Sequence, residues 1–261
     1  MGLFDRTAKH LANGPTLLLP ADATADLDAL LKAYAPDSWV RSDYLVLGNG
    51  VLLLGPVEVT PDLAEKAGLP ADSGVAYYTD TGVMKKREER SEDKKRLDGE
   101  WLVRGLAARL HAAKHSRQPW AEAGLDLSIW AEQAMHPDPV MNVLQPFIGV
   151  EDDQQLFVRA HEDAPGSYFL FSERDPAFVT MFFPNEMSHP KLFPPPPALG
   201  SLRSKEPCRW EMLGGQDAAT ADAETRTRLS TAALALADAV HGVVTDMFGF
   251  PINRPEDLVN G

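Results

Sequence analysis

The stretch that decides the fold reads TLLLPADATADLDALLKAYAP and covers residues 16–36. Its first four residues form an apolar run that Pro20 ends, and a helix pattern follows from about Thr24. The apolar residues of that pattern lie at positions i, i+3, i+4 and i+7, which is one face of an α-helix: Leu27, Leu30, Leu31 and Tyr34. The stretch therefore predicts a strand followed by a helix that Pro36 ends, since proline cannot continue the helical hydrogen bonds.

A hairpin is predicted directly after this helix. Two apolar runs, 44–47 and 51–54, flank the sequence Gly-Asn-Gly at 48–50, and such residues form tight turns because they tolerate a positive φ. A further short strand is predicted at 75–79, after a loop at 61–74. The first helix is thus followed by a strand meander.

A long helix is predicted at 84–110. Its first part, MKKREERSEDKKR, mixes both signs of charge, which is typical of a solvated, salt-bridged helix rather than of a basic nucleic-acid patch. Its second part carries apolar residues at helical spacing: Trp101, Leu102, Leu106 and Leu110. Gly99 weakens the pattern and marks a potential break.

The order of elements then starts again. A strand at 125–131 precedes a helix for which Asp138 is the predicted N-cap and Pro139 the first helical residue. Its apolar residues repeat the spacing of the first helix 113 positions later: Val140, Val143, Leu144 and Phe147. Four strands are predicted next, at 156–160, 167–171, 178–183 and 209–213. A helix is then predicted from Asp222, with Gly242 at the C′ position after its end and with a buried stripe of apolar residues: Leu229, Ala233, Leu236 and Val240. A strand at 243–245 is the last predicted element.

Each half therefore has the predicted order strand, helix, two or more strands, long helix. This order favours an α+β protein of two tandem ferredoxin-like, or split βαβ, halves, with mostly antiparallel sheets and helices on one face. The predicted domains are 1–121 and 122–261, and the second carries a Pro-rich excursion at 184–207. The tandem shape is similar to that of many small bacterial proteins of the cytosol.

Composition limits the classes of function. The chain has 261 residues, 44% of them apolar and 24% charged, which suits a folded protein. The single cysteine, Cys208, excludes an internal disulfide and a multi-thiolate metal site, and it favours the cytoplasm. No apolar stretch approaches the 18 or so residues of a membrane span. The net charge of −13 argues against a nucleic-acid partner and favours a basic protein partner, unless it serves solubility alone.

Two histidines form the most metal-like pattern in the chain. His111 and His115 are four residues apart, which on a helix would place both imidazoles on one face, as zinc sites require. The intervening residues lack the glutamate that follows the first histidine in zinc proteases, so no general base is supplied. Cationic side chains near a helix end are the alternative explanation. No cofactor is predicted.

The other candidate site residues also have structural explanations. Cys208 has no nucleophile signature around it, and Asp80 and Asp246 lie at predicted strand ends, where turns commonly carry Asp. The run Phe193-Pro-Pro-Pro-Pro resembles the core ligand of EVH1 adaptor domains, although an acidic flank is absent, and a rigid spacer is the alternative. Phe193 and Trp120 lie in Pro-containing connections and are the predicted partner-binding aromatics.

Three functions remain open at this point. The leading hypothesis is a non-catalytic, intracellular protein-binding module of acidic surface, such as an adaptor, inhibitor or immunity-type protein, without catalytic residues. A metal-dependent hydrolase using His111 and His115 is the first alternative. A small-molecule sensor with a pocket between the two halves is the second.

Overall fold

The computed structural model of the chain consists of two compact units, Met1–Glu122 and Ala123–Gly261. It describes residues 3–20, 24–41, 44–47, 51–70, 74–80, 92–117, 120, 125–147, 156–160, 162, 166–172, 179–183, 198–199, 207–213 and 222–258. Within these ranges there are six α-helices and two antiparallel sheets, so the predicted α+β class is confirmed. None of the described helices has an apolar stretch of the length that a membrane span needs.

The first unit contains a six-stranded sheet. Its elements are α1 (Leu3–Asn13), β1 (Thr16–Leu19), α2 (Thr24–Tyr34), β2 (Trp39–Arg41), β3 (Tyr44–Val46), β4 (Leu52–Glu58), α3 (Pro61–Ala67), β5 (Val75–Asp80), α4 (Glu92–Leu110) and β6 (Ala113–His115). The strand order is β2-β3-β4-β5-β1-β6, and all neighbours are antiparallel. β5 and β6, which α4 connects, lie on either side of β1, as in a split β-α-β arrangement.

Helices cover both faces of the first sheet. α4 packs on one face, and Gly99 allows its close approach, because a Cβ at Gly99 would lie 2.6 Å from Oγ1 of Thr79. α1 and α3 pack on the other face, where they form a buried cluster with strand residues: Ala8, Leu11, Leu63, Ala64 and Ala67 with Leu18, Ala76 and Tyr78. The prediction of helices on one face is therefore wrong for this unit.

Two sequence expectations for the first unit need correction. Residues within 61–74, predicted as a loop, include α3, whose N-cap hydroxyl on Thr60 accepts a hydrogen bond of 3.3 Å from the Leu63 N–H and whose end is Gly68 in the left-handed region. α4 runs through Gly99 without a break, because that glycine serves a packing contact. The part of the predicted long helix at 84–91 lies outside the described residues.

The second unit contains a seven-stranded sheet. Its elements are β7 (Leu127–Ala131), α5 (Pro137–Leu144), β8 (Phe157–Ala160), β9 (Tyr168–Phe171), β10 (Val179–Phe183), β11 (Cys208–Leu213), α6 (Ala223–Val240), β12 (Val243–Asp246) and β13 (Pro251–Ile252). The strand order is β13-β12-β7-β11-β10-β9-β8. β11 and β12, which α6 connects, lie on either side of β7. Four strands separate the two helices, where the ferredoxin-like pattern has two.

An aromatic cluster fixes the core between this sheet and its helices. Trp210 is fully buried, and its Nε1–H donates a hydrogen bond of 3.1 Å to the hydroxyl of Tyr168. That hydroxyl donates in turn to the carbonyl of Met135 at 3.2 Å. The ring of Phe182 lies 4.8 Å from each of the two other rings. Burial raises the pKa of Tyr168 to about 12, because the charged phenolate is poorly solvated there.

The apolar stripes predicted from the sequence are buried in large part. Leu27, Leu31 and Tyr34 are buried and Leu30 is half-buried, whereas in the second unit Val140 and Leu144 are buried and Val143 and Phe147 are half-buried against the core. The stripe of α6 is fully in the core: Leu229, Ala233, Leu236 and Val240. The spacing thus identified the correct helix faces.

The predicted helix ends in the second unit are correct at one of three sites. Asp222 is the N-cap of α6, and its carboxylate accepts a hydrogen bond of 2.7 Å from the Thr225 N–H. α5 begins two residues earlier than predicted, with His136 rather than Asp138 as the N-cap. At the end of α6, His241 rather than Gly242 takes the left-handed conformation, with φ of 52°.

Candidate functional site

The side chains of the second sheet alternate between two faces, which the strand register defines. The inner face packs against α5 and α6. We call the opposite side the outer face; it carries Phe157, Arg159, Phe169, Phe171, Val179, Met181, Phe183, Arg209, Glu211, Ser128, Trp130, Val243 and Thr245. Both described α-helices of the unit lie on the inner side, so the outer face presents apolar side chains of β8, β9 and β10 without a described helix over them.

A buried ion pair lies at the centre of the outer face. The guanidinium carbon of Arg209 is 4.9 Å from the ring centroid of Phe183 and 5.4 Å from that of Trp130, which places the cation between two aromatic rings. Its Nη2 is 2.9 Å from Oε1 of Glu211. Burial lowers the pKa of Arg209 and raises that of Glu211, and the attraction between the pair opposes both shifts. Both residues lie on β11, two positions apart, so loss of one partner would leave a buried charge on that strand.

The edge strand β8 carries the exposed apolar side chains of this sheet. Phe157 is 41% exposed and Val158 is 42% exposed, and no other large apolar residue whose side-chain burial is described is exposed. The two residues are adjacent in a strand, so Phe157 points to the outer face and Val158 to the inner face. Among the described strands β8 has only β9 as a neighbour. Its other edge therefore offers backbone hydrogen-bonding groups flanked by apolar side chains on both faces.

The other edges with described side chains differ from β8. β6, at one edge of the first sheet, has three residues, and these are Ala113, Lys114 and His115. β13, at the far edge of the second sheet, has two residues and begins with Pro251, which lacks a backbone N–H. Short edges with charged side chains or proline resist pairing with another chain. β8 has Arg159 as such a charge, but its Phe157 and Val158 make it the most apolar of these edges.

The two candidate metal ligands do not share a helix. α4 ends at Leu110, and His111 is an exposed residue of positive φ, 50°, directly after it. His115 lies in β6, opposite Thr16 of β1. The expected arrangement of both imidazoles on one helix face is therefore wrong. Within the described part of the chain, no three His, Cys, Asp or Glu residues are grouped as a metal site would need.

The two predicted partner-binding aromatics have different outcomes. Trp120 is half-buried, and the Nζ of Lys114 lies 5.8 Å from its ring centroid. Burial lowers the pKa of Lys114, and the nearby charge of Arg104 adds to this effect. Trp120 thus has a contact within its own unit. Phe193 lies outside the described residues, as does the excursion at 184–207 apart from 198, 199 and 207.

Two further candidates are structural residues. Cys208 is buried in the core of the second unit, on the inner face of β11. Oδ1 of Asp246 accepts hydrogen bonds from the backbone N–H groups of Phe248, at 3.0 Å, and Phe250, at 2.9 Å. This carboxylate closes the turn between β12 and β13, which is the ordinary role of Asp at such a position.

The exposure of Phe157 and Val158 is not evident from the sequence. The run Leu156-Phe-Val-Arg-Ala160 predicts a strand correctly, but two adjacent apolar residues indicate burial on both faces. Only the strand order shows that this strand is at an edge. The available signal was Arg159, since a charge inside a short apolar strand is typical of an edge.

Comparisons of the chain with protein-family models, with curated proteins and with solved structures found no match.

Proposed function

We propose that this protein is a non-catalytic, intracellular binding module that captures an extended segment of a basic protein partner along β8. The observation that carries the proposal is the exposure of Phe157 and Val158 on an edge strand. In strand addition, the backbone of the incoming segment pairs with the free edge, and its alternate side chains contact the residues beside them. Here the incoming side chains would pack on Phe157 on one face and on Val158 on the other.

The charge of the second unit favours a basic partner. Residues 123–261 contain 9 Lys or Arg and 20 Asp or Glu, so this unit carries 11 of the 13 net negative charges, and residues 1–122 carry 2. A field of one sign around a binding edge attracts segments of the opposite sign and repels acidic ones. The proposed occupant is therefore a β-strand segment with apolar residues at alternate positions and Lys or Arg between or beside them.

Charge substitutions on two edge strands test the binding surface. In a pull-down from native lysate, the unchanged chain should retain a partner protein that the double variant Phe157→Asp and Val158→Asp does not retain. The reason is that the two carboxylates would remove the apolar contacts on both faces of β8. Ala113→Asp places a carboxylate on the exposed edge strand β6 and should retain the partner. Circular dichroism would check that both variants keep the fold.

Two outcomes contradict this part of the proposal. One is a partner that both variants retain equally, which would place the binding surface away from β8. The other is the absence of any protein that is retained by the unchanged chain and lost by the β8 variant.

Salt dependence tests the proposed basic character of the partner. The association rate constant should fall markedly between about 0.05 and 0.5 M salt, because the Debye length at about 0.1 M is only about 10 Å. The dissociation rate constant should change less, since it depends on the desolvated contacts at Phe157 and Val158. Stopped-flow or surface-based kinetics would measure both, and a flat association rate would leave the acidity as a solubility feature.

We also propose that 1–121 and 122–261 are copies of one split βαβ, ferredoxin-like unit. The supporting observation is that β1 lies between β5 and β6 in one sheet, as β7 lies between β11 and β12 in the other. The four-stranded meander between the helices is then an extension of the ferredoxin-like hairpin. An experimental structure in which β1 and β7 cannot be superposed with their neighbours and following helices would contradict the duplication.

A further inference from the structure

A pocket in the first unit lies beside the second half of α1, where the chain turns into β1. It has a volume of about 440 Å³, within the usual range for small-molecule sites of roughly 300–1,000 Å³. Its lining residues are Arg6, Lys9, His10, Asn13, Gly14 and Thr79. Four of them lie at i, i+3, i+4 and i+7 along α1, so one helix face supplies most of the wall.

The pocket is cationic, although the chain as a whole is acidic. Arg6 and Lys9 are both exposed, and a third cation joins them, because Nη1 of Arg117 donates a hydrogen bond of 3.2 Å to Oδ1 of Asn13. Across the described ranges, no ion pair connects Arg6, Lys9 or Arg117 to a carboxylate. Two cationic side chains without a carboxylate partner in the described ranges, Arg6 and Lys9, therefore line the pocket, and Arg117 lies beside its lining residue Asn13.

The end of α1 would normally disfavour an anion, since its last carbonyls carry partial negative charge. Three of these carbonyls already accept hydrogen bonds. The Lys9 carbonyl accepts from the Asn13 side-chain amide at 2.8 Å, that of His10 from the Gly14 N–H at 2.9 Å, and that of Leu11 from the Thr16 hydroxyl at 3.0 Å. The charges of the side chains thus determine the character of the pocket.

The pocket wall is also held in place. The imidazole of His10 stacks on the ring of Tyr78, with 5.6 Å between the ring centroids. Leu11, on the neighbouring face of the same helix turn, is fully buried and fixes α1 to the sheet. A site on a packed helix keeps its charges at fixed spacing, which reduces the entropy lost when a ligand binds.

We propose that this pocket binds an oxyanion of the phosphate class, either free or as the phosphate group of a small molecule. A guanidinium can donate two parallel hydrogen bonds to such a group, and an ammonium adds a compact charge beside it. The pocket is in the first unit and the proposed partner edge is in the second, so this site is a function additional to partner binding.

Titration calorimetry with sodium phosphate tests the site, with sodium chloride used to keep the ionic strength constant. The full chain should bind one phosphate with a Kd of about 1 mM or tighter, as expected for a few charged contacts. Arg6→Gln and Lys9→Gln should each weaken binding by about tenfold, since each removes one charge-assisted contact. Lys32→Gln removes an exposed lysine from α2 and should leave the Kd unchanged.

Further arms distinguish the chemistry and the source of the ligand. A phosphate monoester that binds more tightly than inorganic phosphate would indicate a small-molecule ligand, and the reverse order would indicate free phosphate; both outcomes support the site. Tighter binding of succinate than of either phosphate form would overturn the proposed class. Absence of binding by all phosphate forms, or equal binding by the Arg6, Lys9 and Lys32 variants, would overturn the site itself.

Discussion

The two sheets of this protein have corresponding strand orders but different coverage. In the first unit α1 and α3 add a second helical layer opposite α4, and the strand residues beneath them are buried. In the second unit both described α-helices pack on the inner face, and the outer face carries half-buried Phe, Met and Val side chains beside the buried Trp130 and Arg209. The difference shows that strand order alone does not determine which faces of such a sheet helices cover.

The two units also differ in charge. The unit whose described α-helices lie on one sheet face carries nearly all of the net negative charge, whereas the unit with helices on both faces carries the cationic pocket. The net charge of −13 for the whole chain does not show this difference between the two units. This difference in charge is the basis on which we propose a small anion as the ligand of the first unit and a basic protein segment as the partner of the second.

The largest expected effect is on the free energy of unfolding, and it should be larger for buried side chains of the helices than for a half-buried side chain of the outer face. Leu11→Ala in α1 and Leu236→Ala in α6 should each lower the free energy of unfolding by about 2–5 kcal/mol, because both side chains are fully buried. Met181→Ala on the outer face should cost clearly less, since this side chain is half-buried. Chemical denaturation would measure the free energy of unfolding of all three variants. If Met181→Ala lowered it as much as Leu11→Ala, the outer face would be as well covered as the first sheet.

A smaller effect is expected at Tyr168, whose hydroxyl both accepts and donates a hydrogen bond. Tyr168→Phe leaves the Trp210 Nε1–H and the Met135 carbonyl without this partner, at a cost of about 1–3 kcal/mol near neutral pH. The unchanged protein should lose stability between pH 10 and about pH 12, because only the unfolded tyrosine releases its proton in that range.

The difference between Tyr168→Phe and the unchanged protein should therefore shrink across that alkaline window. Unfolding curves at several pH values would measure it. A difference that is constant from pH 8 to pH 12 would show that the phenol is not buried as described.

The smallest effect concerns the helix caps, which differ between the units. The N-cap of α6 is Asp222, and the hydrogen bond from the Thr225 N–H holds the pKa of this carboxyl below its usual range. Its contribution is present above the ordinary pKa and is lost as the pH falls through the lowered one. The N-cap of α3 is Thr60, which does not titrate. Asp222→Asn should therefore flatten the acid decline in thermal stability, and Thr60→Asn should leave its pH dependence unchanged.

Periodic patterns in the sequence predicted those elements whose apolar residues recur at the spacing of a strand or of one helix face. The run at 16–19 gave β1 with its observed bounds, and the spacing of Leu27, Leu31 and Tyr34 gave α2 with its buried face. α3 was missed because it has only seven residues, although Thr60, Pro61 and Gly68 are ordinary signals of a helix start and end. The end of α4 at Leu110 agrees with the predicted bound, but the shared helix face that the metal hypothesis needs at His111 and His115 does not form, because His111 takes the left-handed conformation.

The candidate surfaces were not predictable in the same way. Phe157 and Val158 have the pattern of a buried strand, and their exposure follows from the position of β8 at the end of the strand order. The spacing of Arg6, Lys9, His10 and Asn13 is visible in the sequence, but the pocket also needs Thr79 from a distant strand. Long-range placement of this kind is not contained in a local pattern.

Hydrogen exchange of β8 tests the central claim most directly. In the complex with the captured partner, backbone amides within Phe157–Ala160 should exchange more slowly than in the free protein, because strand addition would pair them. Amides of β6 should exchange at the same rate in both states. Unchanged exchange at β8 in a protein that is saturated with partner would contradict the proposal that this edge is the binding site.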